Sequence, residues 1–402
     1  MLEGRRFWFV GIGGAGMSAL ALVAKEWGAE VGGSDRARSS YVERLEAAGI
    51  PVVIGHDAAN VPDGAEVVVS SAIGPDNPEI AGREVRRRGE LLAELVSLRP
   101  SIVIAGAHGK TTTAGMIAFC LERLDYDPAF LIGGEIPQLG GNARAGEGWL
   151  VAEGDESDRS LELLRPQIAV LTNVELDHHA TFASEEEVRD LFERWVAAAP
   201  ASVRGDELEP VSFELGVPGR HNRLNAATAL EALELAGVPR EAAEALLPEF
   251  HGAGRRFERR GAAGGVEVFD DYGHHPSEIA ATLETARSAA GPGRVLVVFQ
   301  PHLFSRTRHV AAELAASLAA ADAVAVTEVY AAREEPVPGV DGKLVVDELL
   351  SRRPGMTVAW TPALEDAARF LSRRARPGDL VVTIGAGDVE RVGPLILEEL
   401  GE

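Results

Sequence analysis

Apolar and polar positions along this chain alternate in two rhythms that take turns. Short apolar runs of the strand type are RRFWFV from Arg5, EVGGSD from Glu30, IPVVI from Ile50 and EVVVSSA from Glu66. Between them, helical spacing predicts helices from Ala15 to Trp27, closed by Gly28, and near Tyr41 to Ala48. A second block opens with SIVIAG, a helix from Thr111 to Leu124, and the strand-like runs AFLIGG, GWLVAEG and IAVLTNV. Helices near Glu185 to Ala199 and Asn222 to Ala236 close that block. The third begins near the basic stretch RRFERR, Arg255 to Arg260, with strands VEVFDDY, RVLVVFQ, AVAVTEV, TVAWT and DLVVTIG. Strand and helix alternating in this way imply parallel sheets covered by helices. The pattern predicts three α/β domains, at residues 1–99, 100–252 and 253–402.

Length agrees, since single cores stop growing at roughly 250 to 300 residues and this chain has 402. Acidic residues outnumber Lys plus Arg by 62 to 39, giving a net charge of -23, which argues against nucleic acid as the main partner. The single cysteine, Cys120, cannot form an internal disulfide and fits a reduced, cytoplasmic setting. No run reaches about 18 uninterrupted apolar residues, so no membrane partner is expected. Lysine occurs only at positions 25, 110 and 343, which makes the lysine inside a glycine loop conspicuous.

Two loops carry phosphate-binding chemistry. In FVGIGGAGMSALAL, Gly11, Gly13 and Gly16 fit G-x-G-x-x-G between a strand and a helix, and Asp35 ends the next strand about 20 residues on. Alone, that suggests a dinucleotide, although tight packing also uses such glycines. GAHGKTTT, Gly106 to Thr113, is the second. Ile104 stands where the longer P-loop signature has its first glycine, leaving a shorter G-x-x-G-K-T loop. Backbone amides and a helix N-terminus can still surround phosphate oxygens, Lys110 can neutralise them, and the Thr111 hydroxyl can ligate magnesium.

Glu153, in VAEGDESD, ends a predicted strand of the same block, and His178, in TNVELDHH, follows another. Ligands at the carboxyl ends of parallel strands converge on the loop after SIVIA. Carboxylate suits magnesium, whereas imidazole is an unusual partner for so hard a cation.

These residues resemble those of the Mur ligases, ATP-dependent amide-forming enzymes of peptidoglycan precursor synthesis. The family's motifs occur in order: GIGGAGMSALA, GSD at Gly33 to Asp35, GH at Gly55 and His56, SSAIGPDNPEI, GAHGKTTT, NAR-x-G, AEGDESD, TNVELDH, PGRHN-x-x-NA, DDYGHHPSEI, FQPH, YAAREEP-x-PG and GAGDV. The resemblance implies a Rossmann-like N-terminal domain, a P-loop-type central ATPase domain and a Rossmann-like C-terminal domain. It assigns the first loop to a UDP-sugar and the second to ATP. The expected UDP-sugar contacts are Gly11, Gly13, Gly14, Ala15, Gly16, Met17, Asp35 and Ser71. For ATP they are Gly106, Ala107, His108, Gly109, Lys110, Thr111 and Thr112, with His221, Asn222 and Asn225 from GRHNRLN. Thr111, Glu153 and His178 would serve magnesium, or manganese in its place; Tyr272, His274, His302 and Arg306 would lie near the amino acid, and Lys110, His178, His274 and Arg306 near the reaction.

The implied reaction, that of the alanine-adding branch, joins L-alanine to the lactyl carboxylate of UDP-N-acetylmuramate through an acyl phosphate. A monomer or weak homodimer is expected, with a hinge near Glu249 to Arg255. Ala107 stands where the family usually has Thr, and Leu303 where it usually has Arg. Only about 18 residues, Pro200 to Val217, replace a longer run of the central domain, so its sheet should be trimmed. No lysine lies between Lys110 and Lys343, which removes the carbamylated lysine of sister enzymes. Competing readings are a murein-peptide recycling ligase, a nucleotide-binding homologue without turnover, and, from the first loop alone, an NAD-dependent oxidoreductase.

Overall fold

A computed structural model describes residues 1–402 except Ser71, His179, Ala180, Arg333 and Glu402. Two compact units emerge. One comprises Met1–Glu175, Glu185–Val217 and Asn222–Ala253; the other comprises Leu176–Ser184, Pro218–His221 and Gly254–Glu402. The last crossing, after Ala253, falls inside the glycine-containing stretch EFHGAGRR.

The first unit holds two sheets. Strands β1 (Arg6–Val10), β2 (Glu30–Asp35), β3 (Val52–Ile54), β4 (Glu66–Val69) and β5 (Val85–Arg87) run in the order β3-β2-β1-β4-β5. All their pairings are parallel, as the alternating pattern requires. The second sheet is built from β6 (Ser101–Ala105), β7 (Ala129–Ile136), β8 (Gly141–Arg144), β9 (Leu150–Glu153), β10 (Ile168–Leu171) and β11 (Ala201–Arg204), in the order β11-β10-β6-β9-β7-β8. Here β6 lies between β9 and β10, so the loop after β6 leaves from the middle of the sheet. That is where the fold gathers the carboxyl ends of several strands around one point.

The trimmed run between the helix Glu185–Ala197 and residue 217 contributes only β11, a four-residue edge. Arg204 on that strand pairs with Glu193 at 2.7 Å and Glu207 at 2.7 Å. A short, charged edge resists pairing with another chain.

The second unit contains β12 (Glu258–Ala263), β13 (Val266–Asp271), β14 (Val295–Phe299), β15 (Ala323–Val326), β16 (Thr357–Trp360) and β17 (Leu380–Ile384), ordered β12-β13-β17-β14-β15-β16. The central strands β14 and β17 are buried along their whole length and read as continuous apolar runs. Two pairings break the expected parallel rule: β7 with β8 and β12 with β13 are antiparallel. The basic stretch at Arg255 opens onto β12, a strand whose polar residues are tolerated because it is an edge.

Both units have dense apolar cores. Around the central sheet the helix Lys110–Arg123 is buried from Thr111 to Leu121, with Ile117, Phe119 and Cys120 packed against Ile102, Phe130 and Phe250 in one cluster. Burial pushes the Cys120 thiol up to about 12, so it behaves as a small apolar group. Among the described residues no helix is long and apolar enough to cross a membrane.

Phe250 is fully buried, and its ring lies 5.7 Å from that of Phe119. Replacing it by alanine leaves a cavity that the packed helix cannot collapse to fill. Phe250→Ala is therefore expected to lower the stability of the first unit by about 3–5 kcal/mol, read from the midpoint of chemical denaturation.

Candidate functional site

In the first sheet, β1 turns through Gly11 at φ +80° into the helix Ala15–Glu26. Gly13 donates its amide to Asp35 Oδ2 at 2.8 Å, and a side chain there would strike Val42 Cγ2 at 2.7 Å. The other Asp35 oxygen accepts from the Ala37 amide at 3.4 Å, so this carboxylate braces its own loops. Gly14 is the helix N-cap and supplies no side chain to the first-turn amides of Ala15, Gly16 and Met17. A Cβ on Gly16 would come within 2.7 Å of Arg88 Nη1, which places a guanidinium directly beside that turn. Ser71, expected in the same set, lies outside the described residues.

The second loop, between β6 and the helix Lys110–Arg123, is held from two sides. His108 donates its amide to Asn173 Oδ1 at 3.0 Å, while its carbonyl accepts from Asn173 Nδ2 at 3.0 Å and Thr172 Oγ1 at 2.5 Å. The Ala107 amide reaches the Asn173 carbonyl at 3.3 Å. Glycine is required twice: a Cβ on Gly106, at φ +130°, would sit 2.2 Å from Thr172 Oγ1, and one on Gly109, at φ +80°, 2.4 Å from Asn225 Oδ1. Asn225 in turn donates to Asn222 Oδ1 at 3.2 Å, so both asparagines of GRHNRLN brace this loop.

Lys110 opens the helix, and its ammonium donates to the Gly106 carbonyl and lies 3.4 Å from Glu156. Burial opposes the charge, but the carboxylates of Glu156, Asp155 and Glu153 outweigh it and hold Lys110 above its ordinary value. The lysine is therefore a fixed cation at neutral pH. Glu156 is 4% exposed, and its part was concealed in the acidic run DESD, which also suits a solvated loop. Burial acts against the Asp155 carboxylate too, yet Arg88 at 2.7 Å keeps its value depressed.

Thr111 and Glu153 each reach one of the two β7 glycines, Gly134 and Gly133. Glu153 accepts from the Gly133 amide at 2.6 Å, and Thr111 Cγ2 would lie 3.1 Å from a Cβ on Gly134. A hydroxyl and a carboxylate are hard oxygen donors of the kind that magnesium takes.

The remaining expected residues belong to the second unit, as does His178. Their centre is Asp177, which lay unremarked in TNVELDH. It accepts from Arg306 Nε and Nη2, both at 2.9 Å, in a bidentate pair whose arginine is 3% exposed. Burial alone would raise the Asp177 carboxyl; Arg306, then His178, hold it far below the usual range. Arg306 Nη1 also donates to His302 Nδ1 at 2.9 Å. His302 stacks on Tyr330 with centroids 5.9 Å apart and meets the His274 ring at 5.6 Å. Tyr272 lies edge-on to His274 at 5.7 Å.

Both histidines are neutral at pH 7. Burial, then the His274 ring and Arg306, brings His302 down to about 3; burial, only partly offset by Glu278, brings His274 to about 4. His274 Nδ1 lies 3.2 Å from the Tyr272 carbonyl, which can only accept, so Nδ1 carries the proton and Nε2 is bare. His221, in the same unit, is exposed. Leu303 takes φ +69° and donates its amide to the Tyr330 carbonyl at 2.9 Å.

Family models fit this geometry along most of the chain. The Mur ligase family, catalytic domain, matches residues 6–99, the Mur ligase middle domain 104–202, and the Mur ligase, glutamate ligase domain, 255–387. The chain belongs to the Mur ligase family. Among curated relatives of this Mur ligase, the UDP-N-acetylmuramate–L-alanine ligase of Streptomyces coelicolor is 40% identical, covering 98% of this chain and 97% of its own. The enzyme of that name from Rubrobacter xylanophilus is 43% identical, covering 97% and 99%. The crystal structure of UDP-N-acetylmuramate-alanine ligase from Thermotoga maritima matches with a TM-score of 0.82 at 27% identity over 98% of each chain. The Streptomyces alignment runs over 452 positions, more than this Mur ligase has residues, so the relative carries segments that are missing here.

Removing the carboxylate from the Asp177–Arg306 pair would strand a guanidinium in a buried site. Asp177→Ala is expected to destabilise the second unit of this Mur ligase by about 3–5 kcal/mol, measured by denaturant unfolding with probes assigned to that unit.

Proposed function

We propose that this chain joins L-alanine to UDP-N-acetylmuramate with ATP, at the loop and cluster described above. The single observation that carries the reading is the half-buried, charge-balanced Lys110 at the head of a glycine loop, in a chain 40% identical over nearly its whole length to ligases of that name. A free carboxylate is a poor electrophile. Transfer of the ATP γ-phosphoryl group to the lactyl carboxylate releases ADP and creates a phosphate leaving group. Attack by the L-alanine nitrogen, loss of a proton and expulsion of phosphate then give the amide.

Each step asks for groups the chain supplies. Lys110 and the first-turn amides of its helix hold phosphate oxygens and cancel their charge. Thr111, Glu153 and His178 are the residues that would hold magnesium, which supplies Lewis-acid neutralisation of the phosphoryl oxygens when bound. In the second unit, His274 offers a bare Nε2 to the proton that the L-alanine amine loses once its nitrogen has bonded to the acyl carbon. Tyr272 and His302 line the same cluster. Arg306 is anchored by Asp177 and orients His302 through its Nδ1. On the first sheet, the turn from Gly11 to Met17 with Arg88 beside it suits the diphosphate of the UDP-sugar. The chain would work in the cytoplasm as a monomer or weak homodimer.

Phosphate release with UDP-N-acetylmuramate, ATP and magnesium, scanned over L-alanine, glycine, L-serine and the peptide acceptor of recycling ligases, tests the reading. Release that depends on L-alanine is expected; release with the peptide alone would assign recycling, and none with any acceptor despite ATP binding would end the enzyme reading. Lys110→Ala is expected to reduce turnover at least a thousandfold, about 4 kcal/mol of transition-state stabilisation. Retained activity would show that the loop does not serve ATP.

A further inference from the structure

We propose that Glu79 is a positioning residue that fixes the proton of His56 on Nδ1. The ring is thereby made to offer a bare Nε2 to a hydrogen-bond donor on the nucleoside of the UDP-sugar; this rests on the ligase reading above. Glu79 is completely buried. Its carboxylate accepts from Ser34 Oγ, from Asn60 Nδ2 at 2.7 Å, from the Asp57 amide at 3.3 Å and from Trp8 Nε1 at 3.4 Å. His56 Nδ1 lies 3.3 Å from the same carboxylate and 3.0 Å from Ser34 Oγ.

A proton count settles the tautomer. The carboxylate can only accept, and Ser34 gives its one proton to Glu79. Nothing is left that could donate to His56 Nδ1, so that nitrogen must itself carry hydrogen. In the neutral ring Nε2 is then the acceptor. The side chain of His56 keeps 18% exposure while Glu79 has none, so the carboxylate that holds Nδ1 is sealed off and the ring itself still reaches solvent.

The location gives the lone pair a use. His56 follows β3, and Gly55 donates its amide to the Asp35 carbonyl at 2.8 Å. It therefore stands at the carboxyl ends of β2 and β3, the end of the sheet that bears the Gly11–Met17 turn and the end at which such sheets bind nucleotides. A uridine nucleotide offers donors at uracil N3–H and at the ribose hydroxyls. Cytosine has a bare nitrogen at the corresponding ring position, which would face the His56 lone pair without a proton between them.

The test uses the full-length chain. Nitrogen-15 NMR of the His56 ring, assigned by its loss in His56→Gln, should show a protonated Nδ1 and a bare Nε2 at pH 7.5. Glu79→Gln should raise KM for UDP-N-acetylmuramate about tenfold, with kcat and the KM for ATP within twofold of the parent. The double variant with His56→Gln should be no worse than His56→Gln alone, because Glu79 acts through the ring. UMP should inhibit at least tenfold better than CMP if the donor is uracil N3–H; equal inhibition by these two with a weaker 2′-deoxyUMP would assign the donor to the ribose instead. An unprotonated Nδ1, an unchanged KM in Glu79→Gln, additive losses in the double variant, or equal inhibition by all three nucleotides would overturn the proposal. Should Glu79→Gln fail to fold, the ring spectrum, His56→Gln and the nucleotide series still decide. Absence of turnover in the parent would defeat the ligase reading, while the spectrum would still report whether Glu79 sets the tautomer.

Discussion

An ammonium group half-buried in protein must have its charge answered, and much of the first unit is arranged around that requirement at Lys110. Burial alone would favour the neutral amine, which could not hold a triphosphate. Three carboxylates of one segment, Glu153, Asp155 and Glu156, reverse the balance. Concentrated negative charge would itself repel ATP, and here the arrangement extends further: Arg88 pairs with Asp155 at 2.7 Å while standing beside Gly16 of the first glycine turn. A line of alternating charge thus runs from the phosphate loop of the central sheet to the turn of the N-terminal sheet. Each member is stabilised by the next, and Gly16 has no room for a side chain because Arg88 passes close to it.

The second unit solves a related problem differently. Its buried arginine is matched by one aspartate in a two-point pair, and His302 and His274 beside that pair are left uncharged. Neutral imidazoles can accept a proton; imidazoliums cannot. The unit that would handle the amine therefore keeps proton acceptors, and the one that would handle phosphate keeps a fixed cation, each through the placement of carboxylates.

Local chemistry was legible in the sequence, and long-range partnership was not. Gly106, Gly109 and Lys110 could be read because a turn, a helix start and a phosphate cradle occupy neighbouring positions. The parallel strands were visible because buried strands are apolar along their whole length. β8 and β12 escaped notice because edge strands tolerate the polar residues of GNAR and ERRGAA, which read as loops. Asp177 and Glu79 were hidden for another reason: Asp177 meets Arg306 across 129 residues and Glu79 meets Trp8 across 71, so neither has a sequence neighbour that reveals its burial. Asp35 carries a part that its spacing did not show, since its oxygens accept from the amides of Gly13 and Ala37.

The interleaving of the two units along the chain also sets an order of events during synthesis. Residues 176–184 belong with the second unit but are made before most of it, and Asp177 must wait for an arginine 129 residues later. At ribosomal speeds that delay is on the order of ten seconds. Throughout it, the segment that carries Asp177 lies in sequence between β10 and β11, two strands of a sheet that can already close. The first unit can thus complete its strands around a loop held in reserve, and the second cannot finish until nearly the whole chain has left the ribosome.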